Sequence, residues 1–416
     1  MWGLTIVALG VVAYCLISGR LRDSVVTPPM IFAVFGLIVG TAGLDAIDTD
    51  VSHSAIHTLA EITLAVVLFS DAARIDLRQL IRDHDIPLRL LAIGMPLTIL
   101  FGALVAWWLP LGLGLIEAAL LAAVLAPTDA ALGQSVVSNK AVPTRIRQAL
   151  NVESGLNDGI AVPFVFLFAA LMATASSASA TQDLTVFTAK QLLLGPLVGI
   201  AVGAAAGWLA LAANARGWMD DVFEGPLVLA TIAVAFALAD VLGGNSFISV
   251  FVAGVCFGRL LDGQCKFILE FAESEGQMLV LIAFLTFGAV LLPELAGAIT
   301  WPMVVYAVLS LTLIRMLPAA LSLLGVGLSL PSLAFLGWFG PRGLASILFA
   351  LLVVEQLHSE AAKTILIVAT LTIALSIVAH GVSAAPLAAR YARLAQDQGD
   401  CPENMPVSEM PTRHNN

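Results

Sequence analysis

Charge is scarce in this chain. Asp, Glu, Lys and Arg make up 12% of its 416 residues, where a soluble domain carries about 25%. So few polar side chains cannot cover a soluble surface of that size, which excludes a soluble globular protein. Cysteine is scarce as well: Cys15, Cys256, Cys265 and Cys401 are scattered, with no CxxC pair. A disulfide framework and zinc-ligand spacing are therefore excluded, and Cys15 and Cys256 sit in apolar stretches where a free thiol acts as a small hydrophobe. No basic run and no aromatic–basic interleaving occurs, so nucleic acid is not an expected partner. No motif calls for an organic cofactor. Period-two alternation is missing too, which argues against barrel strands.

Apolar length is what the chain has. Hydrophobic residues make up 59% of it and the mean hydropathy is +0.97, the balance of a polytopic membrane protein. About thirteen segments are long enough to cross a ~30 Å hydrocarbon core. They lie near 3–19, 27–43, 56–73, 87–109, 113–137, 148–174, 187–213, 223–242, 245–260, 277–293, 300–322, 331–353 and 361–385. The expected fold class is an all-α polytopic membrane protein. The first run lacks a positive leader and is followed by Arg20 and Arg22, so it reads as an uncleaved first span and not a signal peptide. Most of the 19 Lys and Arg then fall on one side; only Lys190 and Lys363 fall on the other, and Arg315 and Arg342 lie within spans. The bias predicts an external amino terminus and a cytoplasmic carboxyl terminus. Residues 174–183 read as an external loop of small residues. Residues 262–276 mix charges with Phe267, Ile268, Leu269 and Phe271, as an interfacial segment or a polar loop would. From about Gln396 a short polar tail is expected to be disordered.

Two spans are interrupted at membrane depth. Ala126, Pro127, Thr128 and Asp129 break the fifth, and Gly340, Pro341, Arg342 and Gly343 break the twelfth. With thirteen spans, an inverted repeat would match one to six with eight to thirteen, and hence the fifth with the twelfth. Paired Pro/Gly-interrupted segments at corresponding places point to a transporter binding site, because a proline removes one backbone bond and leaves carbonyls free to face a cation.

The sixth span, within NVESGLNDGIAVPFVFLFAALMA, carries Asp158. A carboxylate at membrane depth costs about 2.5–3.5 kcal/mol on insertion scales, so it marks a functional site by default. Such a group can hold a proton or a desolvated alkali cation in turn, which suffices for antiport if the empty charged site does not cross. On a helix Glu153 stacks with Asn157 and Ser154 with Asp158, one turn apart. Asn157 reads as a neutral neighbour that holds the site together or as a direct ion ligand. Thr128 offers backbone and hydroxyl oxygens; Asp129 offers either a ligand carboxylate or a cap for a half-helix amino terminus. Glu153 and Arg315, opposite charges on separate spans, each need a partner in a low dielectric. Arg342 stands where it can offset exposed carbonyl ends. Asp71, at the end of the third span, reads as a guard of the inner entrance or as a surface acid. Glu61, Glu117, Asp240 and His380 read as snorkelling or satisfied core groups.

Together APTDAALGQSVV, NVESGLNDGIAVP, GNSFISVFVAGVCFG, LIRMLPAAL and GWFGPRGLASILFALLV resemble the NhaP-type monovalent cation/proton antiporters, bacterial relatives of the eukaryotic sodium/proton exchangers. The resemblance covers about residues 60 to 385. It implies two inverted repeats with two broken, crossing helices, and a homodimer in the bacterial inner membrane whose core slides against a dimerisation domain. Dimerisation helices would fall in 1–86 and 223–293, ion-transport helices in 87–175 and 300–385, a linker helix in 187–213 and a short cytoplasmic tail in 386–416. It implies exchange of Na⁺ or Li⁺ for H⁺ at Asp158, with Ser154 and Thr128 as accessory ligands and Asp129 at the helix crossing. Glu153 would pair with Arg315, and Asn157, where electrogenic relatives carry a second aspartate, would make exchange electroneutral. Ala130 departs from the proline often found after the Thr-Asp pair, and Asp71 from a longer glutamate. The same machine working on K⁺ is the nearest rival. An intramembrane aspartyl protease would need Tyr-Asp and Gly-x-Gly-Asp motifs, and neither occurs.

Overall fold

The structure is a computed structural model and describes residues 2–21, 24–46, 53–75, 80, 85–137, 139–175, 181–261, 266–357, 359–396, 402–405 and 407. Among the described residues there are helices and no strands. In chain order they are α1 (Trp2–Leu21), α2 (Pro28–Val39), α3 (His53–Ala73), α4 (Asp85–Trp108), α5 (Leu115–Val124), α6 (Ala130–Val137), α7 (Thr144–Ala175) and α8 (Thr181–Ala215). They continue with α9 (Glu224–Leu242), α10 (Ser246–Leu261), α11 (Lys266–Thr286, carried on to Glu294), α12 (Trp301–Ser322), α13 (Leu330–Trp338), α14 (Leu344–Leu357) and α15 (Glu360–Gln396). Eight are long and apolar enough to cross a membrane, and five shorter apolar helices accompany them. With α5–α6 and α13–α14 each taken as one interrupted unit, the order is that of thirteen crossings, broken at the fifth and the twelfth.

Local chemistry explains the irregularities. Two π-turns, Leu90–Gly94 in α4 and Phe287–Leu291 after α11, lie just ahead of Pro96 and Pro293. A proline ring collides with the carbonyl four residues back, here Ala92 and Ala289, and one wider turn takes up the collision without ending the helix. Helix α9 stops at Gly243, whose φ of 76° is left-handed, a conformation glycine adopts without a Cβ penalty.

The packing falls into two groups. In one, α8 lies along α10 as the most extensive pairing among the described residues, and α10 lies along α3. Gly195, Gly199 and Gly203 recur one turn apart on α8, each against α10 backbone or the residue preceding it. A Cβ at Gly203 would run into Ala253, so small residues let the two backbones meet. In the other group, α4, α5, α7 and α12 to α15 surround the two breaks. Large apolar side chains such as Leu16, Trp108, Leu193 and Trp208 remain exposed on the outer faces, as a lipid-facing surface requires.

Four expectations need correction. Residues 174–183 are not all loop: α7 runs to Ala175 and α8 begins at Thr181, with 176–180 outside the described residues. Residues 262–265 also lie outside them, while from Lys266 the segment is the opening of α11, continuous with the membrane helix. The last helix does not stop near 385 but continues to Gln396, because Ala384, Ala388, Tyr391, Ala392 and Ala395 carry its buried stripe onward at helical spacing. The tail is not wholly disordered either. Residues 402–405 dock on the bundle: Glu403 is buried and accepts hydrogen bonds from Ser329 N–H at 2.8 Å and Ser332 Oγ at 2.7 Å. Arg145 donates to the Pro402 carbonyl at 2.6 Å and to the Asp85 carboxylate at 2.8 Å.

Candidate functional site

The two breaks face each other and exchange hydrogen bonds. Asp129 N–H donates to the Pro341 carbonyl at 2.8 Å. Arg342 Nη1 donates back to the carbonyls of Ala126 at 2.8 Å and Pro127 at 3.1 Å. Asp129 Oδ2 accepts from Leu344 N–H at 2.9 Å, so its carboxylate caps the amino terminus of α14. Each fixed charge therefore meets the end of a half-helix dipole of opposite sign: the guanidinium at the carboxyl end of α5, the carboxylate at the amino end of α14. A Cβ at Gly343 would collide with the Asp129 carboxylate, which makes glycine the residue this cap requires. Arg342 is fully buried.

Helix α7 runs past this crossing and presents one polar face to it. Ser154 Oγ donates to the Thr128 carbonyl at 2.7 Å, and Asn157 Nδ2 donates to Thr128 Oγ1 at 2.5 Å. Thr128 is thus held on both its oxygens by α7. Asp158 is buried on the same helix, one turn beyond Ser154 and next to Asn157. The buried Oδ1 of Asn157 makes no hydrogen bond among the described residues, an oxygen with a lone pair to offer.

Glu153 meets Arg315 on the adjoining face of α7. Nη1 lies 2.6 Å from Oε1 and Nη2 2.8 Å from Oε2, with side-chain exposures of 2% for Arg315 and 3% for Glu153. Helix α12 is interrupted at Thr312 (φ −115°, ψ −97°), three residues before Arg315, and the guanidinium lies against Gly340, where a Cβ would strike it. Both arginines predicted within spans thus sit at the crossing. Asp71 is buried in the last turn of α3, a helix that packs on α7, α10 and α14.

Other singled-out residues lie elsewhere. Asp240 is exposed at the end of α9, and Glu117 accepts from Gly114 N–H at the start of α5. Glu61 lies 3.7 Å from His57 one turn before it. His380 is fully buried and hydrogen-bonded to Trp338 and Ser376. Ser376 is the crossing residue that sequence reasoning misses: its Oγ accepts from Arg342 N–H at 2.7 Å. A lone serine in an apolar helix gives no signal, since serine there commonly bonds its own backbone.

Residues 6–390 match the family described as "Sodium/hydrogen exchanger, transmembrane". The chain belongs to that family. Among curated proteins it is 27% identical over 97% of its length to the K(+)/H(+) antiporter NhaP of Alkalimonas amylolytica, spanning 70% of that relative. It is 25% identical over 77% of its length to the K(+)/H(+) antiporter NhaP2 of Shewanella sp. (strain ANA-3), spanning 55% of it. It is 26% identical over 80% of its length to the Na(+)/H(+) antiporter 2 of Zygosaccharomyces rouxii, spanning 43% of it. The chain therefore spans only about half the length of several relatives it matches. Among solved structures its fold superposes on the sodium proton antiporter MjNhaP1 from Methanocaldococcus jannaschii with a TM-score of 0.78 at 21% identity, covering 94% of this chain and 99% of that one. The exchanger family is one of multi-pass membrane transporters, and the chain has its NhaP-type fold.

Proposed function

We propose that this protein is an electroneutral antiporter that exchanges one Na⁺ or Li⁺ for one H⁺ by alternating access, with cation and proton competing for Asp158. The observation that carries the reading is the buried face of α7, where Asp158 follows Ser154 and Asn157, both hydrogen-bonded to Thr128 in the break of the fifth unit. Protonated, Asp158 is neutral and needs no cation; ionised, it takes one monovalent cation, so either loaded state carries the same charge through the membrane. The empty ionised state is held back by the cost of moving a bare carboxylate through a low dielectric. Ser154 and Thr128 supply hard oxygens beside the carboxylate, and Asn157 adds its Oδ1. Asn157, being neutral, adds no second carboxylate, so one cation exchanges for one proton and no net charge moves per cycle.

The fixed charges have other work in this proposal. Arg342 and Asp129 hold the two breaks together, Glu153 and Arg315 hold α7 to α12, and Asp71 lines the approach from the end of α3. The helices around the breaks form the moving core, those packed around α8 and α10 the scaffold, and two copies pair through the scaffold in a bacterial inner membrane. The amino terminus is placed outside and the carboxyl terminus in the cytoplasm on the Lys/Arg bias. Potassium is the second reading, because two of the similar proteins are named K(+)/H(+) antiporters. Purified protein in proteoliposomes with an internal pH dye tests both. Na⁺ or Li⁺ should dissipate an imposed pH gradient and Asp158→Asn should abolish the response while the protein stays folded. A response to K⁺ alone overturns the sodium assignment; unimpaired exchange by Asp158→Asn overturns the site.

A further inference from the structure

The break in the twelfth unit interrupts one particular helical bond. Were α13 to run on into α14, the N–H of Arg342 would donate to the carbonyl of Trp338, four residues back. Instead both groups are taken up by a single turn of α15. Arg342 N–H donates to Ser376 Oγ at 2.7 Å. The Nδ1 of His380, one turn further on, lies 3.1 Å from that hydroxyl and 3.0 Å from the Ser376 carbonyl. Its Nε2 lies 2.9 Å from the Trp338 carbonyl; the neutral tautomer with its proton on Nε2 donates there and accepts the Ser376 hydroxyl proton at Nδ1. The same carbonyl also accepts from Gly340 N–H at 2.8 Å. The imidazole is held in place from a third direction: the Trp338 indole lies over it at 4.9 Å between centroids, and the indole N–H donates to Ser383 Oγ at 3.0 Å.

We infer that His380, with Ser376, is a positioning residue for the ion site: it replaces the missing helical bond across the twelfth-unit break and so fixes where Arg342 enters the crossing. The inference rests on the proposed exchange at Asp158. From Arg342 the path is short. Its Nη1 holds the carbonyls of Ala126 and Pro127, which directly precede Thr128, and Thr128 is the residue that Ser154 and Asn157 grip from α7. Loosening the two lips of the break lets Arg342 shift and moves the Thr128 oxygens, while Asp158, on an unbroken helix, keeps its place. Cation affinity therefore suffers more than the maximal rate.

Three variants of the full chain in proteoliposomes test this, each normalised to folded protein recovered by size exclusion. His380→Leu removes the donor to Trp338. His380→Gln keeps an amide donor for that carbonyl and an acceptor for the Ser376 hydroxyl. Ser376→Ala removes the link to Arg342. Loss of a buried bond of this kind should raise the half-saturating Na⁺ concentration about five- to tenfold in His380→Leu and Ser376→Ala, with maximal rates within about twofold of the parent. His380→Gln should lie close to the parent, and this rescue is what a role limited to filling space would not give. Unchanged half-saturation in Ser376→Ala, equal damage from Leu and Gln, or a fall in maximal rate alone would overturn the inference. Should His380→Leu fail to fold, the Gln and Ser376→Ala comparisons still decide. The parent and Asp158→Asn run alongside: no cation-driven flux in the parent, or flux surviving in Asp158→Asn, would instead overturn the exchange reading itself.

Discussion

Breaking the Glu153–Arg315 pair should cost this protein more stability than any surface change. The two charges make contacts of 2.6 and 2.8 Å at side-chain exposures of 2% and 3%. Two unit charges about 4 Å apart attract by roughly 4 kcal/mol at an effective dielectric of ~20. That attraction stands against the desolvation of both groups. Removing one partner leaves the desolvation of the other without compensation and costs about 3–5 kcal/mol, whereas replacing both with apolar residues of similar volume is often neutral. Arg315 is the more vulnerable half, since its Nε makes no hydrogen bond among the described residues and it is pressed against Gly340. Glu153→Ala and Arg315→Ala should therefore each lower the thermal unfolding midpoint in detergent by similar, large amounts. The double variant Glu153→Leu with Arg315→Met should melt nearer the parent than either single variant with the same replacements, a non-additivity that only coupled residues show. Single-variant midpoints equal to that of the parent, or a double variant as low as the two losses added, would refute the pairing argument.

Asn157→Asp should add a second carboxylate beside Asp158 and make transport respond to an imposed membrane potential; a response-free variant that still transports would contradict the charge count. Gly343→Ala should force its new methyl into the Asp129 carboxylate and detach the cap on α14, lowering the midpoint by the equivalent of about 1–3 kcal/mol and impairing transport; parental behaviour in both assays would show that the crossing tolerates displacement. Burial pushes the Glu403 carboxyl up, but hydrogen bonds from the Ser329 amide and the Ser332 and Ser329 hydroxyls outweigh it and hold it at about 2, below its usual 4.5. Because the folded value is the lower one, the Glu403 contribution to docking of the tail is fully present above the usual value and is lost as pH falls from there through about 2. Protection of residues 402–405 from hydrogen exchange should then be flat between about pH 5 and 8 once intrinsic rates are removed, and abolished at every pH by Glu403→Gln; protection that fades on going from pH 7 to 5 would rule this out.

The thirteen crossings are legible in the sequence because bilayer thickness leaves a length signature, and the breaks because Pro127 and Pro341, unlike Pro163 or Pro196, stand within two residues of a charge, Asp129 or Arg342, inside an apolar run. The α7 face is legible for the same kind of reason: a carboxylate in an apolar run is costly, and helical spacing places Ser154 and Asn157 beside it. What stays hidden depends on contacts that span the fold. Asp129 offers no clue that its cap is Leu344 N–H on another unit, since only the crossing brings them together. The carboxyl-terminal part of α15 alternates Ala with Arg390 and Arg393 and so falls below a membrane-span pattern, although its alanine stripe packs as a core helix. Glu403 looks like any tail acid until Ser329 and Ser332 are set beneath it. His380 reads as a satisfied core group, and it is one; its meaning lies in the fact that one of its partners is the Trp338 carbonyl at a broken helix end, and backbone partners leave no trace in sequence.

For the exchange proposed at Asp158, the crossing gives the other buried arginines and acids of this bundle partners of their own. A broken helix exposes carbonyls on one side of the gap and amides on the other, each cut end carrying roughly half a unit charge. At this crossing the amino end of α6 lies beside that of α14, as the Asp129–Leu344 bond shows, and the cost of like ends close together rises as the dielectric falls. Arg342 at the Ala126 and Pro127 carbonyls and Asp129 at the Leu344 amide answer one end of each break with a full opposite charge, and the His380–Ser376 turn answers the remaining lip of the twelfth with neutral groups. Glu153 and Arg315 satisfy one another on the adjoining face of α7. With those charges engaged by backbone or by each other, a mobile cation gains little by displacing them. The proposal puts the exchanged charge on the unbroken α7, where it can load and unload without disturbing the bonds that keep the two breaks aligned. In α7 the oxygens that approach from the break are those of Thr128, and α7 itself holds them through Ser154 and Asn157.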